Sequence, residues 1–144
     1  MKARNLIVTL LQFLLFFLLA FSGELIPKNY FLVFFQFISV VFALWAFMVM
    51  RGGTFSIFPE VRKGAALILR GPYKYIRHPM YTALLLISLC WLLDDFSWFR
   101  VIVFILLSIN MRYKIYLEEA YLKRNYPEYR DYMKESSMLI PFIY

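Results

Sequence analysis

The chain has 144 residues, of which 62% are hydrophobic and 21% aromatic, and it carries a formal net charge of +7. Soluble domains are closer to half apolar, so this composition indicates a membrane protein, and the length allows a single domain, 1–144. With one cysteine and one histidine, the chain cannot form an internal disulfide or a metal site built from several cysteines or histidines.

Four apolar runs follow one another along the chain. We interpret them as transmembrane helices, which predicts an all-α integral membrane protein with spans at about 5–22, 30–50, 79–93 and 96–111. The first two are long enough for a hydrocarbon core of about 30 Å. The last two are short, so they either cross with little tilt or form a re-entrant or interfacial hairpin. The first run also resembles a signal peptide ending at 20–22, but its length favours a permanent helix.

The basic residues favour one orientation of these helices. All of the 16 except Lys28 and Arg100 lie before the first run, between the second and third, or after the fourth. By the positive-inside rule, both termini are therefore cytoplasmic. The pattern points to a membrane partner and not to nucleic acid, since no nucleic-acid-binding module is recognisable. Short helices and loops suggest a prokaryotic inner membrane, or the endoplasmic reticulum membrane in a eukaryote.

Two cytoplasmic segments complete the predicted domain, the loop 51–78 and the helical tail 112–144. The loop has a possible short strand or interfacial piece at 65–69. The tail should continue the fourth helix, break or restart at Pro127 and fold its apolar end, 138–144, back onto the membrane face or the site.

The first candidate site is the string Gly-Pro-Tyr-Lys-Tyr-Ile-Arg-His-Pro-Met-Tyr at 71–81. Its Gly-Pro pair predicts a turn, and Pro79 suits the first position of the third helix. Arg77 and His78 would then lie at a helix N-terminus, where free N–H groups and the helix dipole favour a carboxylate or phosphate. Each residue alone is equally typical of the basic and aromatic belt at a membrane interface.

The second candidate site is the pair Glu118 and Glu119. On a helix their side chains point about 100° apart, so they cannot face one ligand in the same way. One could accept hydrogen bonds from ligand hydroxyls or an amine, or take a proton if burial raises its pKa. The other could pair with a basic residue, for which the candidates are Arg77, Arg112 and Lys123. The alternative is a solvated helix face with a Glu119–Lys123 pair.

The two strings, together with the later Tyr-Pro-Glu-Tyr-x-x-Tyr at 126–132 and Pro141, resemble the isoprenylcysteine carboxyl methyltransferase and phospholipid methyltransferase family over residues 60–144. The resemblance implies a membrane-embedded methyltransferase that uses S-adenosylmethionine. Its cofactor pocket would lie at the cytoplasmic face, closed by the C-terminal segment. A lipid or lipidated substrate, either isoprenylcysteine carboxylate-like or phospholipid amine-like, would enter from the bilayer.

Carried over to this chain, the resemblance also implies a set of site residues. The catalytic candidates are Glu118, Glu119 and Arg112, and no metal is implied. The cofactor-binding candidates are Tyr73, Arg77, His78, Pro79, Tyr81, Glu118, Glu119, Leu122, Tyr129 and Tyr132. The chain departs from the family at Ala83, where many members have glycine, and Arg112 or Lys114 stands where an arginine often precedes the glutamates.

Two other functions fit the composition and topology. One is a membrane lipid or sterol reductase, which would use a nicotinamide cofactor at a similar basic site. The other is a small non-enzymatic membrane protein, for which changes at His78 and Glu118 would have no consequence. The sequence predicts no oligomeric state.

Overall fold

The computed structural model describes residues 2–51 and 67–141, and this part of the chain is helical without a strand. Five α-helices follow in order: α1 (Lys2–Phe21), α2 (Tyr30–Arg51), α3 (Pro79–Asp94), α4 (Trp98–Asn125) and α5 (Tyr129–Glu135). A 3₁₀ turn, Gly71–Lys74, precedes α3. The predicted all-α class is therefore confirmed for the described residues.

Two helices are long and apolar enough to cross a membrane, Ala3–Phe21 and Tyr30–Met50. On α2 most large apolar side chains are exposed, among them Phe31, Phe34 and Phe37. An apolar surface of this extent needs lipid or a partner to cover it. The apolar helix α3 has 16 residues, and α4 carries charged side chains throughout its second half. Four complete spans therefore remain a prediction.

The helix ends follow the local sequence. Pro79 occupies the first turn of α3, as predicted, where its missing N–H costs nothing. At α4 the Ser97 side chain accepts a hydrogen bond from the Arg100 amide. The expected continuation of the fourth apolar run into the tail is confirmed, because α4 runs unbroken to Asn125 and ends just before Pro127. The piece predicted at 65–69 lies partly outside the described residues, and 67–69 form no strand.

The interior is built by packing α1 on α4 and α2 on α3. An apolar cluster joins three of these helices through Leu15, Leu19, Trp91, Leu107 and Met111. The cluster packs the C-terminal half of α3 against the middle of α4. The candidate strings lie at the other end of α3 and in the second half of α4.

A buried arginine locks the opposite end of the bundle. Arg100 is 2% exposed and donates to the carbonyls of Trp91 at 2.6 Å and Asp95 at 2.9 Å, and to Ser22 Oγ at 2.8 Å. It thereby ties together main-chain and hydroxyl oxygens at the ends of α1 and α3. A Cβ on Gly23 would lie 2.4 Å from Arg100 Nη2, so a larger residue there would displace the guanidinium from these contacts.

Candidate active site

A tight turn brings the first string into the bundle. Gly71 has φ +61°, a conformation that other residues rarely adopt, and a Cβ there would lie 2.8 Å from Val49 Cγ2. The turn buries Tyr73 and leads the chain to His78, which precedes the first residue of α3. The local sequence thus positions the string against α2.

His78 lies between the two glutamates of α4. Its Nδ1 is 3.6 Å from Glu118 Oε2, and its Nε2 is 3.4 Å from Glu119 Oε1. The Tyr81 hydroxyl donates to Glu118 Oε1 at 2.5 Å, and its ring stacks on the imidazole with centroids 5.6 Å apart. The two carboxylates diverge on the helix as the sequence predicts, and the two nitrogens of one imidazole contact both.

Glu119 is held as an ion. Its side chain is 7% exposed, and its Oε1 accepts a hydrogen bond from Arg77 Nε at 2.9 Å. Lys123 Nζ lies 4.0 Å from the other carboxylate oxygen. Burial by itself raises the pKa of Glu119, but the hydrogen bonds and charges of His78 and Arg77 outweigh burial and lower the pKa to about 2. The expectation that burial raises the pKa is therefore wrong for Glu119.

Acid should weaken the fold through this carboxylate. Because folding lowers the pKa of Glu119 from 4.5 to about 2, ionised Glu119 stabilises the fold above pH 4.5 and loses this effect as the pH falls towards 2. The shift corresponds to about 3 kcal/mol. We expect the stability difference between wild type and Glu119→Gln to shrink over this range, measured by thermal unfolding in detergent. The exposed control Glu135→Gln should follow wild type throughout. A constant difference between wild type and Glu119→Gln would contradict the assignment.

Arg77 also holds the C-terminal segment. Its Nη1 donates to the carbonyl of Met133 at 3.2 Å and to that of Ser136. The sequence suggested Arg77 as a donor to a bound anion, but these contacts direct its Nε and Nη1 to groups of the protein. Arg77 thus holds Glu119 and the C-terminal segment together, and its role in binding a cofactor stays a prediction.

Main-chain hydrogen bonds continue this closure. The Ser137 amide donates to the Tyr75 carbonyl and the Arg77 amide donates to the Ser137 carbonyl, each at 2.9 Å, which makes a parallel bridge between Ile76 and Ser137. The His78 amide donates to the Met138 carbonyl at 3.2 Å. Thr82 Oγ1 donates to the Leu139 carbonyl at 2.7 Å. The predicted return of the C-terminal segment onto the site is therefore confirmed as far as Leu139, and 142–144 lie outside the described residues.

Three tyrosines form the wall beside the glutamates. The Tyr132 hydroxyl donates to the Tyr73 carbonyl, and the rings of Tyr129 and Tyr132 are 5.7 Å apart. Burial raises the pKa of all three and brings that of Tyr132 to about 12, so each stays a neutral phenol at physiological pH. Within the described chain, the buried hydroxyls of Tyr73 and Tyr129 have no hydrogen-bond partner. Buried polar groups without a partner are rare in native proteins.

The remaining predicted residues make other contacts. Pro79 and Ala83 are buried, and the methyl group of Ala83 has no exposed surface. Leu122 is half-buried, and its carbonyl accepts a bond from the Tyr126 amide. Arg112 is exposed, with Nη1 3.4 Å from Met138 Sδ. A role for these residues in binding or catalysis stays a prediction.

Sequence reasoning missed Thr82 and the carbonyls of Met133 and Ser136. Thr82 lies four residues after His78 and thus on the same face of α3, so helical spacing could have revealed it. The carbonyls have no sequence signal, because every residue carries one.

The comparison with known families covers most of this structure. The family model for phospholipid methyltransferases matches residues 27–129, which include α2, α3, α4, His78 and both glutamates. The chain belongs to this family. The expected resemblance is confirmed, and the family is one of methyltransferases acting on lipid-type substrates. No curated protein matches the chain. The matched region ends at Tyr129, so the main-chain closure made by Ser137 and Met138 lies beyond it.

Proposed function

We propose that this phospholipid methyltransferase family member transfers a methyl group from S-adenosylmethionine to a membrane lipid that carries an amine or a carboxylate. The observation that carries the proposal is the cluster of His78, Tyr81, Glu118 and Glu119 beside two buried phenol hydroxyls without partners. Family membership favours this activity over a nicotinamide-dependent reductase and over a non-enzymatic role.

The residues present fit the cofactor. S-adenosylmethionine offers ribose hydroxyls, an amine, a carboxylate and an aromatic base. The orphaned hydroxyls of Tyr73 and Tyr129 would bind its polar groups, and the ring of Tyr132 would pack beside the base. Of the two glutamates, Glu118 would bind the ribose or the amine of the cofactor. Its side chain is 15% exposed, whereas Glu119 is buried in an ion pair with Arg77.

The cofactor supplies an electrophilic methyl group, and the protein contributes mainly position. Glu118 accepts a proton from an amine acceptor, whereas a carboxylate acceptor needs no base. Glu119 keeps His78 and Arg77 in place as a permanent anion. The Tyr81 ring stabilises positive charge near the reacting atoms by cation–π attraction. Arg112 is proposed to assist from the same helix.

The proposed setting is a membrane crossed by four helices, with both termini in the cytoplasm and the cofactor at the cytoplasmic face. Exposed apolar side chains along α1 and α2 support contact with lipid. The basic residues in the loop 51–78 and after residue 111 support the orientation. The lipid acceptor reaches the site sideways between helices, in a prokaryotic inner membrane or in the endoplasmic reticulum membrane of a eukaryote.

S-adenosylhomocysteine binding to the detergent-purified protein tests the proposal. We expect saturable binding by calorimetry, and about tenfold weaker binding in Tyr129→Phe, because loss of one buried hydrogen bond costs about 1–1.5 kcal/mol. Tyr30→Phe is the matched control, since Tyr30 is 90% exposed at the start of α2 and should keep wild-type affinity. A folded wild-type protein that does not bind S-adenosylhomocysteine would refute the proposal. Equal affinity in Tyr129→Phe, with a gain in stability, would remove Tyr129 from the binding site.

A further inference from the structure

A buried polar seam runs between α1 and α4. Its members on α1 are Asn5, Thr9 and Gln12, which recur with helical spacing and are 8%, 4% and 5% exposed. Its members on α4 are Asn110 and Lys114. The Asn110 side chain donates to the Val8 carbonyl at 3.1 Å, which ties the two helices together. Polar side chains commonly join membrane helices by hydrogen bonds, so a contact of this kind alone needs no ligand. The seam also contains groups that such contacts leave unsatisfied.

Lys114 places a positive charge in this seam. The residue is 4% exposed, its Nζ donates to Gln12 Oε1 at 2.9 Å, and the ammonium lies 5.4 Å from the centre of the Tyr81 ring. In the described part of the chain, no carboxylate lies within ion-pair distance of it. Burial lowers the pKa of Lys114 and outweighs the charge of Glu118, one helical turn further on, which favours the ammonium. The positive charge is therefore only partly compensated, and burial of a charge costs several kcal/mol unless an opposite charge balances it.

The seam also contains unsatisfied polar atoms. Asn5 Oδ1 and Thr9 Oγ1 are buried and have no hydrogen-bond partner within the described residues. Each such atom costs about 1–3 kcal/mol, and native proteins rarely tolerate them without a reason. An anionic group bound in the seam would balance the rest of this charge and accept a hydrogen bond from the Thr9 hydroxyl.

The position of the seam relates it to the site. Leu19 contacts Arg100 and Gln12 contacts Lys114, so α1 and α4 run antiparallel. Thr9 and Asn5 therefore follow Gln12 along α1 in the direction of Glu118. Lys114 precedes Glu118 by one helical turn, and Tyr81 contacts both side chains. The seam thus meets the cluster of glutamates from the membrane side.

We propose that Lys114, together with Thr9 and Gln12, binds an anionic oxygen group, a phosphate or a carboxylate, of the lipid acceptor. Lys114 supplies the balancing charge, the Thr9 hydroxyl donates a hydrogen bond, and the Gln12 amide can turn its NH₂ group to the same anion. The inference rests on the proposed function, because it treats the neighbouring glutamate cluster as the place of methyl transfer. It makes Lys114 a specificity-determining residue with no direct contact to the cofactor.

Binding of single-chain anions tests this subsite. Dodecyl phosphate and laurate are titrated into protein held in dodecyl maltoside micelles, with dodecanol as the neutral control, and tryptophan fluorescence reports binding. We expect saturable binding of at least one anion, weakened at least tenfold in Lys114→Met. Lys134→Met removes the same charge from an exposed position on α5 and should bind like wild type. The better of the two anions identifies a phosphate or a carboxylate as the group recognised.

Gln12→Glu is a second variant that does not depend on the stability of Lys114→Met. It places a carboxylate where Gln12 Oε1 contacts Lys114 Nζ and so fills the subsite from within the protein. We expect a higher unfolding temperature and a loss of anion binding at least as large as in Lys114→Met. If Lys114 served packing alone, Gln12→Glu would raise the stability and leave anion binding unchanged.

Two results keep this inference separate from the proposed function. Equal anion affinity in wild type, Lys114→Met and Gln12→Glu, with S-adenosylhomocysteine still bound, overturns the subsite alone. Absence of S-adenosylhomocysteine binding in wild type overturns the proposed function, and the acceptor subsite with it.

Discussion

Replacing Arg77 with methionine is expected to destabilise the protein by about 3–5 kcal/mol and to release its C-terminal segment. The guanidinium donates to the buried carboxylate of Glu119 and to the carbonyls of Met133 and Ser136. Methionine fills similar space but provides no donor, so it leaves a buried charge and two carbonyls without their partner. Arg77→Lys keeps the positive charge but lacks the forked set of N–H donors. Its loss of stability should therefore lie between those of wild type and Arg77→Met.

Thermal unfolding in detergent and limited trypsin digestion measure the two parts of this result. Cleavage after Arg130 and Lys134 should become faster in Arg77→Met, because α5 detaches from α4. Arg124→Met, at an exposed position near the end of α4, should behave like wild type. Adding Glu119→Gln to Arg77→Met should recover part of the stability, since it removes the unpaired charge. An Arg77→Met protein with wild-type stability and tail protection would show that Arg77 does not hold the segment.

Replacing Glu118 with glutamine is expected to lower the rate of methyl transfer to an amine lipid by about 100-fold or more. Glutamine keeps the shape of the side chain and can accept a hydrogen bond from Tyr81, but it cannot take a proton. A carboxylate acceptor has no proton to lose, so the rate of methyl transfer to it should fall much less in the same variant. The ratio of the two losses therefore reports which kind of acceptor uses Glu118 as a base.

The comparison uses a phosphatidylethanolamine and a prenylated cysteine as acceptors, with methyl transfer and S-adenosylhomocysteine affinity measured on the same preparations. Affinity should fall by no more than about tenfold, because an amide oxygen still accepts a hydrogen bond. Glu135→Gln, at an exposed position on α5, should keep wild-type rates. Unchanged transfer to every acceptor that wild type methylates would exclude a catalytic role for Glu118.

Local sequence predicted the parts of the structure that depend on local physics. The bounds of α1, α2 and α3 follow the apolar runs to within a few residues, and Pro79 and Pro127 mark helix ends as expected. The 3.6-residue period predicted that Glu118 and Glu119 diverge. These features need no knowledge of how distant segments meet.

The partners inside the site were not predictable in the same way. From the sequence, Arg77 could bind an anion or pair with either glutamate. Its actual partners depend on the return of the C-terminal segment, about 60 residues later in the chain. The low pKa of Glu119 was not predictable for the same reason. Burial raises this pKa and hydrogen bonds from His78 and Arg77 lower it, and only the folded chain brings these two donors to the carboxylate. Whether α3 and α4 cross the membrane completely depends on the bilayer as well as the chain.

The main-chain bridge between Ile76 and Ser137 bears on how this protein can evolve. Backbone amides and carbonyls make these contacts, so they are available to almost any amino acid at either position. The main-chain part of the closure therefore tolerates substitutions at these positions, provided that proline does not remove the amide donor of Ser137. The closure can thus persist while the amino acids of the C-terminal segment change.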